Sequence, residues 1–188
     1  MTELQGLLDR LVRLLDGSHV PFMIAGSFAS TAHGLPRTTQ DLDVIIDPSD
    51  VQALDALVYS MSPGEYYVDA DVARDALRRR SMFNVVDHAS GWKIDFIVRK
   101  DRPFSREEFA RRMPMPLLGV PVFIASPEDT VVAKLEWSQS SGGSERQRRD
   151  VAGILATMGA QLDRAYVERW VSELDLQGEW ERAQETSP

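Results

Sequence analysis

Ile24-Ala-Gly-Ser-Phe-Ala-Ser-Thr-Ala-His-Gly-Leu-Pro-Arg-Thr-Thr-Gln-Asp-Leu-Asp-Val-Ile45 is the stretch that decides the fold of this chain. It begins at the end of a short apolar run, Val20–Ala25, which reads as a buried strand. Gly26-Ser27 follows, and the small residues up to His33 fit one or two helical turns. Gly34-Leu35-Pro36 is a turn. Asp41–Ile46 is a second strand, stopped by Asp47-Pro48. Side chains alternate across a strand, so Asp41 and Asp43 share one face while Leu42 and Val44 take the other. Two neighbouring carboxylates repel and are costly unless a cation offsets them. A hard cation such as Mg²⁺, held beside a triphosphate, needs that kind of pair. An isolated D-x-D reads more readily as a polar strand end in a turn region; the order of the elements changes that. Glycine lets backbone approach a phosphate closely. The Ser27 hydroxyl and the amides opening the next helix can bind phosphate oxygens.

A third acid lies downstream. Asp95 interrupts Trp92-Lys-Ile-Asp-Phe-Ile-Val98, which otherwise reads as an apolar strand. A carboxylate in a central strand is expensive unless it is paired or bound to a metal. The alternative is an edge strand with Asp95 paired to Lys93 or exposed.

Outward from these strands, Leu4, Leu7, Leu8, Leu11 and Leu14/Leu15 recur at helical spacing, with Thr2 placed to cap and Gly17 to end the helix. A helix capped by Ser49 is expected over 49–61 and a strand at 65–68. A helix is expected over 72–80, a hairpin over 82–99 and a short helix over 105–113. A second hairpin turns at Leu118-Gly119. Ser126-Pro127-Glu128-Asp129 is a strong helix start, with a cap, a proline at the first position and acids in the first turn. That helix runs to about 138. A Ser/Gly linker spans 140–144, two helices follow at 146–158 and 165–174, and the last dozen residues read as frayed. The expected organisation is an α/β domain over 1–125 and a helical lobe over 126–188.

Composition narrows the chemistry. There are 188 residues and no cysteine, so disulfides, thiolate zinc sites and cysteine nucleophiles are excluded. The three histidines are scattered, with no H-E-x-x-H pair. Any metal is expected to be a hard cation on carboxylate oxygens. A net charge of −8 argues against broad nonspecific nucleic-acid binding, although Arg146, Arg148 and Arg149 form a local basic cluster. No apolar run approaches the ~18–20 residues of a membrane helix. Charges inside the N-terminal pattern do not fit a signal peptide, so a cytoplasmic location is expected.

G-S, then D-x-D, then one Asp on a later strand resembles the nucleotidyltransferase superfamily that includes DNA polymerase beta and the aminoglycoside nucleotidyltransferases. More narrowly, the string is similar to the AbiEii-type nucleotidyltransferases of phage-defence and toxin–antitoxin systems. Their H-G-x-x-R-x-T-x-D-h-D pattern is matched by His33, Gly34, Arg37, Thr39, Asp41 and Asp43. Their C-terminal K-L and R-D motifs are matched by Lys134-Leu135 and Arg149-Asp150. Two departures stand out: Gly153 occupies the place of a usual second Asp, and G-S-F replaces G-G-T.

The resemblance implies an α+β fold, a small mixed sheet flanked by helices and followed by a C-terminal helical lobe. It implies transfer of a nucleoside monophosphate from a triphosphate such as ATP to an acceptor hydroxyl. Two Mg²⁺ ions, or Mn²⁺ in their place, would be held by Asp41, Asp43 and Asp95, with Asp95 also a candidate general base. Gly26, Ser27, Arg37 and Thr39 would form the nucleotide-binding set, Ser27 and Arg37 on the β- and γ-phosphates. Lys134 would reach a phosphate, and Asp150 would orient Lys134 or the acceptor. The acceptor is tRNA, as in the toxin relatives with their cognate antitoxin proteins, or a small hydroxyl compound, as in the antibiotic enzymes. A third class is a non-catalytic nucleotide-binding module. No membrane partner is implied. His33 is read as a packed residue, Trp92 and Trp137 as core or interface residues. Lys134→Ala is expected to lower kcat about 10²-fold or more and leave the melting temperature almost unchanged.

Overall fold

The computed structural model describes residues 2–188. The chain forms two compact units, one of Met1–Ile24 with Gln40–Ile124, the other of Ala25–Thr39 with Ala125–Pro188.

The first unit is built on a seven-stranded mixed sheet. Its strands are β1 (Phe22–Ile24), β2 (Asp41–Ile46), β3 (Tyr66–Tyr67), β4 (Met82–Asp87), β5 (Lys93–Val98), β6 (Met113–Leu117) and β7 (Val120–Ile124). They lie in the order β3-β4-β5-β2-β1-β7-β6. The β2–β5 and β1–β7 pairs are parallel and the rest antiparallel. Alternation sets the core: Leu42, Val44 and Ile46 of β2 and Ile94, Phe96 and Val98 of β5 are fully buried. Phe83 of β4 stacks on Phe96, ring centroids 5.2 Å apart. The expected Leu118-Gly119 turn joins β6 to β7, with φ of 51° and 83°. Two left-handed residues in succession match the twist of a two-residue hairpin.

Helix α1 (Glu3–Gly17) buries Leu7, Leu8, Leu11 and Leu15, and the Thr2 hydroxyl accepts from the Gln5 amide at its start. Helix α3 (Val51–Ser60) is capped by Asp50, which accepts from the Ala53 amide, and not by Ser49 as expected. A carboxylate one residue later reaches the same first-turn amides and complements the helix dipole. Helices α4 (Ala70–Arg79) and α5 (Pro103–Ala110) complete this unit.

The second unit is helical: α2 (Gly26–His33), α6 (Pro127–Ser140), α7 (Glu145–Met158), a short 3₁₀ turn at Gly159–Gln161, α8 (Arg164–Glu173) and α9 (Gln177–Glu185). Ser126 caps α6 through the Asp129 amide. The buried Asp129 carboxylate accepts from the Ser126 and Tyr166 hydroxyls at 2.6 and 2.5 Å. The α2 end meets α7 at a pair of glycines. A Cβ on Gly34 would lie 2.9 Å from the Ile154 amide nitrogen, and one on Gly153 would lie 3.3 Å from that of Leu35. A side chain at 153 fits only if the Leu35 backbone gives by a few tenths of an ångström.

The frayed C-terminus is a correction. Residues 177–185 form α9, with Trp180 and Ala183 buried. Glu179, only 3% exposed, accepts from the Ser138 hydroxyl at 2.5 Å and pairs with Arg148 at 3.3 Å. The polar character of Gln177–Glu185 hides a narrow apolar stripe, which tertiary packing makes sufficient for a helix.

Candidate active site

The acids of the first unit take their places from strand register. Asp43 of β2 stands directly opposite Asp95 of β5, and Asp41 opposite Lys93. On the other side of β5, Asn84 of β4 stands opposite Asp95. Alternation puts Asp41, Asp43, Asn84, Lys93 and Asp95 on one face of adjoining strands. Strand β5 is interior, between β4 and β2, so the edge-strand alternative does not hold. The Lys93 pairing does: its ammonium lies 3.1 Å from Asp95 Oδ2 and 3.6 Å from Asp41 Oδ1. The other oxygen of Asp95 accepts from the Asn84 amide. Asp95 is buried and Asp41 is exposed. The hydrogen bond to Asp95 raises the Lys93 pKa against the effect of burial, with the Asp95 and Asp41 charges adding. Lys93 is therefore charged at neutral pH.

Among the described residues, no three or more His, Asp or Glu side chains are gathered so as to hold a metal ion as they stand. The donor chemistry still suits a hard cation: in-register carboxylates on one face, with an ammonium already bridging two of them. A cavity of about 310 Å³ in the same unit is lined by Arg10, Gly64, Glu65, Asp87, His88 and Ala89. It includes none of the candidate site residues.

In the second unit Asp150 is a hub. Its Oδ2 lies 2.7 Å from Lys134 Nζ, and its two oxygens take Arg37 Nε at 2.9 Å and Nη2 at 3.2 Å. Arg37 also donates to the Ser27 hydroxyl. Ser30 Oγ lies 3.0 Å from the Ser27 carbonyl and 3.4 Å from Asp150. Burial works to raise the Asp150 pKa, but Lys134 and Arg37 outweigh it and hold the carboxyl below its ordinary range. Four residues chosen from sequence, Ser27, Arg37, Lys134 and Asp150, are thus one bonded cluster. Gly26 opens α2 in a left-handed conformation, φ 56°, and no side chain caps that helix. Thr39 is half-buried at the end of the same segment.

His33 is packed: its Nε2–H donates to the Ala125 carbonyl at 2.8 Å, and burial lowers its pKa. Trp137 is 61% exposed, against the expectation of a core or interface position, while Trp170 and Trp180 are the buried indoles of this unit. Sequence reasoning missed Asn84. Its side of the sheet follows from register with β5, which alternation within Met82–Asp87 alone does not supply.

No family model matches the chain, and no curated protein matches it in sequence. Solved structures resemble it in fold. The crystal structure of ANT(2'')-Ia in complex with adenylyl-2''-tobramycin superimposes with a TM-score of 0.60 at 14% identity, over 92% of this chain and 99% of that one. An antigenic nucleotidyltransferase-like protein from Paracoccidioides brasiliensis gives 0.58 at 16% identity, over 98% and 93%. The lincomycin-bound lincosamide adenylyltransferase LnuA gives 0.54 at 11% identity, over 82% and 96%. The mixed sheet and its helices are therefore the nucleotidyltransferase fold. Among the described residues no helix is long and apolar enough to cross a membrane.

Proposed function

We propose that this protein is a metal-dependent nucleotidyltransferase that moves a nucleoside monophosphate from a triphosphate, ATP in the first instance, to a hydroxyl of a small organic acceptor. The observation that carries the proposal is Asp43 in register with Asp95, and Asp41 on the same face, within this fold. The small acceptor is supported by the ligands of two structural neighbours, adenylyl-2''-tobramycin and lincomycin. It is supported too by the charge of −8 and by the basic cluster, where Arg148 pairs with the buried Glu179.

In the proposed reaction the acceptor oxygen attacks the α-phosphorus. The bond to the bridging oxygen of the β-phosphate breaks, pyrophosphate leaves, and the hydroxyl proton passes to Asp95. Mg²⁺, or Mn²⁺, on Asp41, Asp43 and Asp95 would offset the charge of the triphosphate. Asn84 holds one oxygen of Asp95 in place, and Lys93 pairs with the other in the chain without metal. Ser27 accepts from Arg37, which leaves its own proton to donate to a phosphate oxygen. The uncapped amides after Ala25 serve the same anion. Thr39 belongs to this nucleotide-binding set. Lys134 contributes positive charge toward phosphate, and Arg37 and Asp150 keep it placed. In this scheme residues 1–125 are the catalytic α/β domain and residues 126–188 the C-terminal helical lobe.

A second reading is favoured by the His33–Asp43 string: an AbiEii-type enzyme acting on tRNA, with a cognate antitoxin partner. Incubation with each labelled triphosphate, Mg²⁺ and either a small-hydroxyl panel or total tRNA separates the two. Label in a small product that is lost in Asp43→Asn supports the first reading. Label on tRNA supports the second, and no label with any triphosphate leaves a non-catalytic module of this fold.

A further inference from the structure

We propose that Lys93 is a tethered counter-cation that sets how tightly the Asp41–Asp43–Asp95 face takes a divalent ion. The inference rests on the metal-dependent reading above and adds a residue that neither the motif nor the fold assigns.

Asp95 is held on both oxygens, but by unlike groups. Asn84 donates to Oδ1 as a neutral amide. Lys93 lies 3.1 Å from Oδ2 as a full positive charge, and the same ammonium lies 3.6 Å from Asp41. Register explains why one lysine serves both acids: Lys93 is directly opposite Asp41 and two residues before Asp95, on their common face. Its side chain is 42% exposed, whereas that of Asp95 is 10% exposed. An ammonium on a flexible four-carbon stem can swing to water at little cost. The carboxylate on its interior strand has no such freedom. Lys93 is therefore the exchangeable partner.

A divalent ion drawn to these oxygens meets a cation already on two of the three acids. The two compete for the same lone pairs and repel each other. Lys93 relieves carboxylate repulsion before a divalent ion arrives and opposes the ion when it does. Removing it has two effects of opposite sign: the chain without added metal becomes less stable, and the metal binds more tightly. A purely structural lysine produces the first effect alone.

The test titrates the full chain with Mn²⁺ and counts free ion by electron paramagnetic resonance, with melting curves in parallel. The proteins are wild type, Lys93→Gln, Lys93→Arg and Asp43→Asn. Lys93→Gln is expected to bind Mn²⁺ roughly tenfold more tightly than wild type, while Lys93→Arg, which keeps the charge, stays near wild type. The gap narrows as ionic strength rises. Lys93→Met, which keeps the stem, provides the same measurement should the Gln variant not fold. An unchanged or weaker affinity in the neutral variants, with wild-type binding abolished by Asp43→Asn, overturns the role of Lys93 and leaves the metal reading intact. Binding that ignores Asp43→Asn, or no binding by wild type and Lys93→Gln alike, overturns the metal reading and this inference with it.

Discussion

Lys134 Nζ sits 2.7 Å from Asp150 Oδ2, and each side chain is only 7% exposed. A buried pair of this kind is costly to break from one side, because the surviving charge is stranded away from water. The sequence reading expected Lys134→Ala to leave stability almost unchanged; the burial of the pair reverses that. Lys134→Ala is predicted to lower the unfolding free energy by about 3 kcal/mol in urea titration. Arg37 still neutralises Asp150 in that variant, so the lower end of the usual range applies. A change under ~0.5 kcal/mol, typical of surface substitutions, would show that Lys134 is not held as described. Any loss of transfer activity must be read on protein shown to remain folded.

The same carboxylate makes a prediction in pH. Its folded pKa lies below the unfolded one, so the stability it contributes is fully present above the ordinary value near 4. It is lost as pH falls through the folded value. The stability gap between wild type and Asp150→Asn is expected to be level from about pH 7 to 5 and to close below ~4. A gap that grows on acidification would contradict the ion-pair assignment.

His33 acts on a different window. Burial lowers its pKa below the ordinary 6.5, so below that value the unfolded chain takes up a proton that the folded chain refuses. Wild type is expected to lose stability from pH 6.5 downward, by at most ~1.4 kcal/mol per pH unit for this one group. His33→Gln keeps an N–H for the Ala125 carbonyl and does not titrate. Its stability profile between pH 7 and 5.5 should be flatter. Parallel profiles for the two proteins would remove His33 from the acid response.

Gly34 tests the close approach of α2 to α7. Its φ of −136° lies outside the left-handed region, so the prediction rests on space alone. The obstacle is space: an added Cβ falls 2.9 Å from both the Ile154 nitrogen and the Ser30 carbonyl oxygen, and 3.0 Å from the Gly153 carbonyl carbon. These are backbone atoms that cannot rotate away. Gly34→Ala is predicted to cost ~1–3 kcal/mol by forced displacement, while Gly153→Ala, with its nearest atom at 3.3 Å, costs less. Equal melting temperatures for wild type and Gly34→Ala would show that the helices yield freely.

How much of this was legible in the sequence varied with the kind of signal. The strands β2 and β5 and the face shared by Asp41 and Asp43 follow from period-two alternation, a local property. The α6 start follows from Ser126-Pro127 chemistry, which is local too. Register is not local. That Asp43 faces Asp95, and that Asn84 lies on the far side of Asp95, depends on strands up to 52 positions apart. Nothing in Met82–Asp87 by itself marks Asn84. Helix α9 was missed because its stripe of Trp180 and Ala183 is too narrow to stand out from the charges around it. The buried partners of Glu179 are Ser138 and Arg148, distant in sequence. Lys134 and Asp150 were found through a motif resemblance. Their bonding to Arg37 and Ser27 emerged only from the packing of α2, α6 and α7.

The last prediction uses Asn84 to read the charge of the acid face without any assay of transfer. Asn84, Asp95 and Asp43 run in line across β4, β5 and β2. Asn84→Asp converts the middle acid from hydrogen-bonded on that side to opposed by a like charge. Directly opposed like charges on paired strands are destabilising, by ~0.2–1 kcal/mol each, and here the donated hydrogen bond to Asp95 is lost as well. A charged acceptor loses more than a neutral one, ~1.5–3 kcal/mol when its partner is removed, with Lys93 left to offset part of it. Asn84→Ala loses the hydrogen bond and gains no charge. The Asp variant is therefore expected to melt below the Ala variant, and both below wild type. Repulsion at an open face is screened by salt, so the interval between the two variants should shrink on going from about 0.01 M to 1 M salt. An Asp variant as stable as the Ala variant at low salt would mean that the line of acids read from the strand register carries no appreciable repulsion.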